Sequence, residues 1–328
     1  MKLDHRRLLK RKIPFYKTKK FKTALFLITL FMFPMLQYLI FWLYVNVQAI
    51  ALSFKTFGWQ GWVNCGFDNF VEQWNDVFLG KNINMHSALL NSFKVLIANA
   101  ITLPLAIITA YAFYKKIYFQ KFFRVVFYLP SMISVTVLTM CYRFMWANNP
   151  SDFVGPIAQF LNLLGINVDW WNINQPSTVI WPLILGYTIW SGLGSNVILI
   201  CGAMMRIPKE VVEAGRIDGI GFWRELWEVT LPLIMPTVCT FIMTSVMGVF
   251  TYTMAPMLLA GFGQTVAEGG INGQAYTIGW AIFNITSGGR NEQLASGAAL
   301  GTMFSVFSLP VIIMLKIATD KLTPDIKY

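Results

Sequence analysis

The sequence predicts an all-α membrane protein with six transmembrane helices, both termini in the cytoplasm, and a cytoplasmic loop between the fourth and fifth helices. Three observations lead to this class. Of the 328 residues, 56% are hydrophobic and 12% are charged, whereas soluble domains average roughly 45–50% and 25%. Six apolar stretches are near or above the roughly 20 residues that a bilayer crossing needs. The basic residues are concentrated in alternate connecting segments.

The six apolar stretches define the predicted organisation. They cover residues 24–45, 89–113, 125–146, 179–204, 231–256 and 294–317. The first could instead belong to a signal peptide, because a basic arm precedes it and Ala49-Ile50-Ala51 resembles a cleavage site. Its apolar run is roughly twice the usual length for a signal peptide, so we interpret it as an uncleaved helix. The chain then divides into a basic arm (1–23), a six-helix domain (24–318) and a short tail (319–328).

The basic residues orient the helices. Ten of the 26 lie within the first 22 positions, where only Asp4 opposes them. With the amino terminus inside, the cytoplasmic segments hold 21 basic residues and the outer segments hold three, as the positive-inside rule requires. The basic arm also favours contact with anionic membrane lipid. Nucleic-acid binding is disfavoured, because no helix-turn-helix or aromatic-interleaved basic context follows the arm.

Few charged residues lie within the predicted helices. Lys94 and Arg143 are near the outer ends, where long side chains can reach the interface, and a transport role is the alternative. All 15 acidic residues lie outside the six stretches, which disfavours proton coupling through an intramembrane carboxylate. No metal site is expected, because the cysteines and histidines show no ligand-like spacing. These are Cys65, Cys141, Cys201, Cys239, His5 and His86.

The two long outer loops, 54–88 and 147–178, are rich in Trp and Asn. An interfacial aromatic belt explains this composition. A docking surface for an extracytoplasmic partner is the alternative. The residues concerned are Trp59, Trp62, Trp74, Asn148, Asn149, Trp170, Trp171, Asn172 and Asn174.

The loop at about 206–232 carries the most specific pattern. Pro208 suits the first turn of a helix, where its missing N–H would be unpaired anyway, and Glu210 favours the positive end of that helix. The Asp-Gly pair at 218–219 predicts a turn. Bulky apolar residues at i, i+1, i+4 and i+5 from Phe222 predict a second helix. An amphipathic segment lying on lipid headgroups is the alternative.

This loop resembles the EAA loop of the integral membrane subunits of binding-protein-dependent ABC importers, and we call it the EAA-like loop. The resemblance rests on Glu213-Ala214-Gly215, Asp218-Gly219 and Leu231-Pro232. The sequence departs from the family pattern at Gly215, where a second Ala is usual, and at Ile220, where a small residue often follows the glycine. More weakly, the six-helix layout and the Phe67-Asp68-Asn69-Phe70 stretch are similar to the maltose-type sugar permeases.

The resemblance implies a non-catalytic permease subunit that forms half of a translocation pathway for a sugar, specifically an oligosaccharide. The implied partners are a second homologous permease, two ATPase subunits that bind ATP-Mg, an extracytoplasmic sugar-binding protein and membrane lipid. The EAA loop of that family docks into an ATPase as a coupling helix. The implied coupling residues are Glu213, Ala214, Gly215, Asp218 and Gly219. Independently, the sequence contains no G-x-x-x-x-G-K-[ST] motif, so we expect no nucleotide cofactor on this chain.

A sugar pathway needs hydrogen-bonding groups and an aromatic face without fixed charge. Thr188, Ser191 and Ser195 recur with Gly192 on one face of the fourth helix. By resemblance, the sugar-facing positions lie there and on the fifth helix. The predicted pathway residues are Thr188, Trp190, Ser191, Gly192, Ser195, Gly248, Val249 and Tyr252. Close helix packing by small residues is the alternative for each of them.

These patterns favour a multi-pass sugar permease in a bacterial-type cytoplasmic membrane. A stand-alone secondary transporter or channel for a small neutral solute is the alternative, and it predicts transport by this chain alone. A membrane-bound enzyme is third, because no His, Cys or carboxylate cluster suits catalysis at the membrane surface.

Overall fold

The computed structural model describes residues 19–59, 61–149, 153–167, 177–260 and 275–322, and it divides into two units, Met1–Leu52 and Ser53–Tyr328. Five of its helices are long and apolar enough to cross a membrane, and a bent helix pair adds a sixth. We call these the first to sixth spans in chain order. The basic arm up to residue 18, the tail from 323, and Trp170, Trp171, Asn172 and Asn174 lie outside the described residues.

The first span is a continuous helix that extends past both ends of the predicted stretch. It consists of Lys19–Gln37, a π-helical segment at Tyr38–Tyr44, and Val45–Ser53. All side chains from 22 to 50 are exposed, and most of them are apolar. An exposed apolar helix of this length is suited to a lipid environment.

A short hairpin and a helix follow the first span where the sequence predicts only a loop. The strands Lys55–Gly58 and Gly61–Asn64 pair antiparallel, and the helix Asp68–Val77 comes next. The buried Asn69 side chain donates to the carbonyl oxygens of Ser53, at 3.0 Å, and Lys55, at 2.8 Å. These two bonds fix the helix against the hairpin.

The second span, Ile83–Tyr114, packs along the fourth span, Ser177–Met204. Its buried face contains small residues spaced four apart, which share one side of a helix and permit close approach of the neighbouring backbone. These residues are Ala98, Thr102, Ala106 and Ala110. This helix pair forms the centre of the second unit.

The third span differs from the single helix predicted at 125–146. It consists of two helices, Gln120–Met132 and Val135–Trp146, which meet at an angle of 107°. Pro130 lacks the N–H for a regular helix bond, and Ile133 is extended, with ψ 145°. The chain therefore turns sharply here instead of crossing in one straight helix.

The fifth span begins inside the EAA-like loop. Its helix runs without a break from Phe222 to Thr251, with a π-helical segment at Glu225–Thr230 directly before Leu231 and Pro232. Pro232 removes one regular helix bond, and local π-helical pairing accommodates such irregularities. Glu225 lies in the early turns of this helix, within the second helix predicted from Phe222, and its side chain is buried.

The rest of the second unit completes the helical bundle. Two short helices, Met254–Ala260 and Ile278–Ser287, precede the sixth span, Asn291–Leu322. After the third span, Asn148–Asn149 and Phe153–Val154 form a small hairpin, which is followed by the helix Pro156–Leu163.

The two cations predicted within the spans are both held by protein groups. Lys94 Nζ donates to Asn91 Oδ1 at 2.9 Å and lies 4.8 Å from the Trp181 ring centre. Arg143 donates to the Leu258 carbonyl oxygen at 3.2 Å. Among the described residues, no group of three or more His, Cys, Asp or Glu could hold a metal ion.

Candidate functional site

A cavity of about 510 Å³ lies between the break of the third span, the fourth span and the C-terminal end of the fifth span. Five of the eight predicted pathway residues line it. They are Ser191, Gly192, Ser195, Gly248 and Tyr252. The helical spacing on the fourth span therefore brings the expected small and hydroxylated residues to one surface.

Hydroxyl and aromatic groups give this cavity its chemistry. The hydroxyls of Tyr252 and Thr188 lie 2.8 Å apart, and Thr139 donates to the Tyr187 hydroxyl at 2.7 Å. Both tyrosines line the cavity, and among the residues that the structure describes, none that lines it carries a formal charge. Groups of this kind both donate and accept hydrogen bonds, as binding a neutral polyhydroxylated molecule requires.

Three predicted pathway residues do not line the cavity. Thr188 is buried behind the Tyr252 hydroxyl that it contacts. Trp190 is partly exposed and stacks 6.0 Å from the Tyr142 ring. Val249 is 1% exposed because a 3₁₀ turn ends the fifth span here and directs its side chain into the protein.

The third span supplies lining residues that sequence reasoning did not include. They come from the 107° break and the turn after it: Pro130, Ser131, Ile133, Val135 and Leu138. Tyr187 and residues 251 and 253–255 also line the cavity. A proline followed by serine inside an apolar run was the one signal that could have indicated this wall, because proline interrupts helices.

The EAA-like loop contains a helix, a tight turn and a second helix. The first helix is Lys209–Ile217. The Ile220 N–H donates to the Gly215 carbonyl oxygen at 3.1 Å, and Gly219 has φ +71°. These are the bond and the left-handed residue of a Schellman motif, which ends a helix at glycine. The second helix begins at Phe222.

The predicted coupling residues lie mostly on the exposed side of this loop. Glu213, Ala214, Asp218 and Gly219 are exposed, whereas Gly215 is buried. A Cβ at Gly215 would lie 3.6 Å from Ile220 Cδ1, an ordinary contact distance, so the usual Ala would fit. Large apolar side chains are exposed nearby, at Val211, Ile217, Trp223 and Trp227. Such a patch at the end of a helical bundle is typical of a protein or membrane contact.

The amino-acid sequence is similar to those of known transport proteins. The family model for "Binding-protein-dependent transport system inner membrane component" matches residues 102–327. The arabinooligosaccharides transport system permease protein AraP of Halalkalibacterium halodurans is 28% identical over 217 residues, which are 66% of this chain and 65% of AraP. The match therefore spans slightly less than two thirds of AraP. The diacetylchitobiose uptake system permease protein NgcF of Streptomyces coelicolor is 26% identical, over 88% of this chain and 80% of NgcF.

A solved structure has the same fold. One chain in the crystal structure of a bacterial alginate ABC transporter, in complex with an alginate pentasaccharide-bound periplasmic protein, superposes with a TM-score of 0.76. It is 20% identical and covers 94% of this chain and 98% of its own length. Because the family model covers more than half of the sequence, this chain belongs to the family of inner membrane components of binding-protein-dependent transport systems.

Proposed function

We propose that this chain forms half of the translocation pathway for an oligosaccharide in an ABC importer. The uncharged cavity is the main observation that supports this proposal, because its hydroxyl and aromatic lining suits a neutral sugar. AraP and NgcF, by name, serve arabino-oligosaccharides and diacetylchitobiose. The pathway residues of this proposal are Ser191, Gly192, Ser195, Gly248 and Tyr252, with Thr188 positioning the Tyr252 hydroxyl.

We infer that the EAA-like loop faces the cytoplasm, because the basic residues place both termini and this loop on that side. Its exposed residues would contact a separate ATPase subunit that binds ATP-Mg. Glu213, Ala214 and Gly219 supply contacts, and Asp218 and Gly215 belong to the capped end of the helix. Two ATPases and a second homologous permease complete the assembly. The outer segments 54–88 and 147–178 would face a sugar-binding protein.

Affinity purification of the tagged chain from mild detergent tests this assembly. We expect a P-loop ATPase and a second permease in the preparation, together with ATP hydrolysis. Recovery of the chain alone, with transport intact after reconstitution, would contradict the importer and support a stand-alone carrier or channel.

Replacing Ser195 by Leu should reduce oligosaccharide uptake about tenfold while the complex still assembles. Ser195 lines the cavity, and its hydroxyl donates to the Gly192 carbonyl oxygen of its own helix, at 3.2 Å. A leucine side chain would fill cavity volume that the sugar must occupy, and a loss of about 1.4 kcal/mol in sugar binding corresponds to about tenfold. The measurement is uptake of labelled sugar into proteoliposomes at matched protein content.

The matched control is Ser305→Leu. Ser305 is also exposed and also bonds to a carbonyl oxygen of its own helix, at 2.8 Å, but it lies on the sixth span away from the cavity. Uptake in this variant should match the wild-type rate. Equal uptake in both variants would remove Ser195 from the pathway.

A further inference from the structure

A largely buried ion pair joins the end of the second span to the early turns of the fifth. Lys115 caps the second span, and its Nζ lies 2.5 Å from both carboxylate oxygens of Glu225. The two side chains are 16% and 5% exposed, respectively. The lysine charge also lies at a helix carboxyl end, where the helix dipole favours a cation. The pair connects residues 110 positions apart in the chain.

A second contact lies one turn earlier on the second span. The buried Tyr111 hydroxyl donates to the Phe222 carbonyl oxygen at 3.1 Å. The rings of these two residues are 4.7 Å apart. The first turns of the fifth span are therefore held against the second span at two successive positions.

The same turns also contact the Lys209–Ile217 helix. Leu226, next to Glu225, is 1% exposed and belongs to one buried cluster with Val212 of that helix. Glu225 and Leu226 thus lie between the Lys209–Ile217 helix and the second span. Any displacement of the loop helix must either move the second span with it or break these contacts.

The second span in turn packs against the cavity wall. A Cβ placed on Gly192, which lines the cavity, would lie 3.6 Å from Thr102 Cγ2 of the second span. A continuous series of packed groups therefore runs from the Lys209–Ile217 helix, through Leu226, Glu225 and Lys115, to the pathway. Packed side chains and ion pairs of this kind can carry coupling between distant sites.

Stability alone does not explain the charged pair. Apolar residues of similar size often replace buried ion pairs without loss of stability. A buried pair instead fixes one arrangement, because removing either partner leaves an uncompensated charge. The neighbouring Arg224–Glu228 pair, at 2.8 Å, is 68% and 53% exposed, and exposed pairs of this kind contribute little.

We propose that Lys115 and Glu225 are positioning residues that transmit movement of the EAA-like loop to the substrate pathway. The inference rests on the proposed function, because it takes that loop as the ATPase-docking segment. Its direct consequence is that ATP hydrolysis responds to substrate only while the pair is intact.

The test uses the complex purified with its ATPase subunits and reconstituted with the sugar-binding protein. The measured quantity is the ratio of substrate-stimulated to basal ATP hydrolysis, together with sugar uptake. Glu225→Gln should reduce the ratio at least about fivefold, the lower end of typical coupling effects. Glu228→Gln is the control, because it removes the exposed pair from the same helix, and its ratio should equal the wild-type ratio.

The neutral double variant Lys115→Met/Glu225→Met separates positioning from stability. We expect it to assemble with a wild-type thermal midpoint and still to have a low ratio. A wild-type ratio in this variant would overturn the proposal. If the double variant does not assemble, the Glu225→Asp variant provides the test. Aspartate keeps the negative charge, but its shorter side chain withdraws the carboxylate from Lys115, so the ratio of stimulated to basal ATP hydrolysis should fall. An unchanged ratio would reject the positioning role.

The wild-type complex separates this inference from the proposed function. If no ATPase accompanies the wild-type chain, the importer assignment fails and the role of the pair fails with it. If the wild-type complex responds to substrate and Glu225→Gln responds equally, only the positioning role is rejected.

Discussion

Changing Gly219 to Val is expected to lower substrate-stimulated ATP hydrolysis by about five- to thirtyfold, with membrane insertion unaffected. Gly219 has φ +71° at the end of the Lys209–Ile217 helix. This conformation costs an L-residue roughly 1–2 kcal/mol, and a β-branched residue is a clear outlier there. A Cβ at this position meets no atom within 4 Å, so the effect comes from the backbone alone. We expect this cost to open the turn and so to weaken ATPase docking. Each 1.4 kcal/mol of that cost corresponds to a factor of about ten in the docking equilibrium.

Gly219→Asn is the comparison variant at the same position. Asn adopts the left-handed conformation more readily than other residues with a side chain. The loss of substrate-stimulated ATP hydrolysis should therefore be clearly smaller for Gly219→Asn than for Gly219→Val. The measurements are the ATPase recovered with the tagged chain and its stimulation by substrate. Equal stimulation in the wild-type, Asn and Val complexes would show that docking does not depend on this turn.

Changing Gly194 to Ala should destabilise the protein by about 1–3 kcal/mol, the usual cost of overpacking, and also impair uptake. A Cβ at Gly194 would lie 2.3 Å from the Phe127 carbonyl oxygen. That atom belongs to the backbone of the Gln120–Met132 helix, so the whole helix must shift. Pro130 and Ser131 of that helix line the cavity, so its shape must change too.

Gly202→Ala on the same fourth span is the matched control. No atom lies within 4 Å of a Cβ at Gly202, and Ala favours helix by about 1 kcal/mol over Gly. The thermal midpoint of the purified protein in detergent should fall for Gly194→Ala and hold or rise for Gly202→Ala. Equal midpoints would indicate that the two helices do not approach closely at Gly194.

Hydropathy predicted the positions of the helices but not their directions. The apolar run at 125–146 satisfies the length of a crossing, yet the chain bends by 107° within it. Average hydrophobicity does not register the extended residue Ile133 after Met132, although Pro130 was a visible signal. Similarly, the turn at 218–219 was predictable from an Asp-Gly pair, whereas the continuity of the helix across Pro232 was not.

Local sequence patterns predicted only part of the cavity lining, because they record spacing within a helix and not contacts between helices. Ser191, Gly192 and Ser195 recur with helical spacing, and the structure places all three on the cavity. Val249 was predicted on the same pathway but does not line the cavity, because a 3₁₀ turn changes the helical periodicity there. The third-span residues of the wall and the Lys115–Glu225 pair are tertiary contacts. No local pattern joins residues 110 positions apart.

The length of chain between Lys115 and Glu225 has a consequence for biogenesis. Ribosomes add about 5–20 residues per second, so Glu225 is synthesised roughly 5 to 20 s after Lys115, given their separation of 110 positions. Throughout that interval Lys115 lacks its Glu225 partner, and a cation without its partner favours a hydrated environment. The contact between the second and fifth spans therefore closes late, after the bent third span and the fourth span have been made. A nascent chain that stops short of Glu225 leaves this junction open, with its cation exposed to cellular quality control.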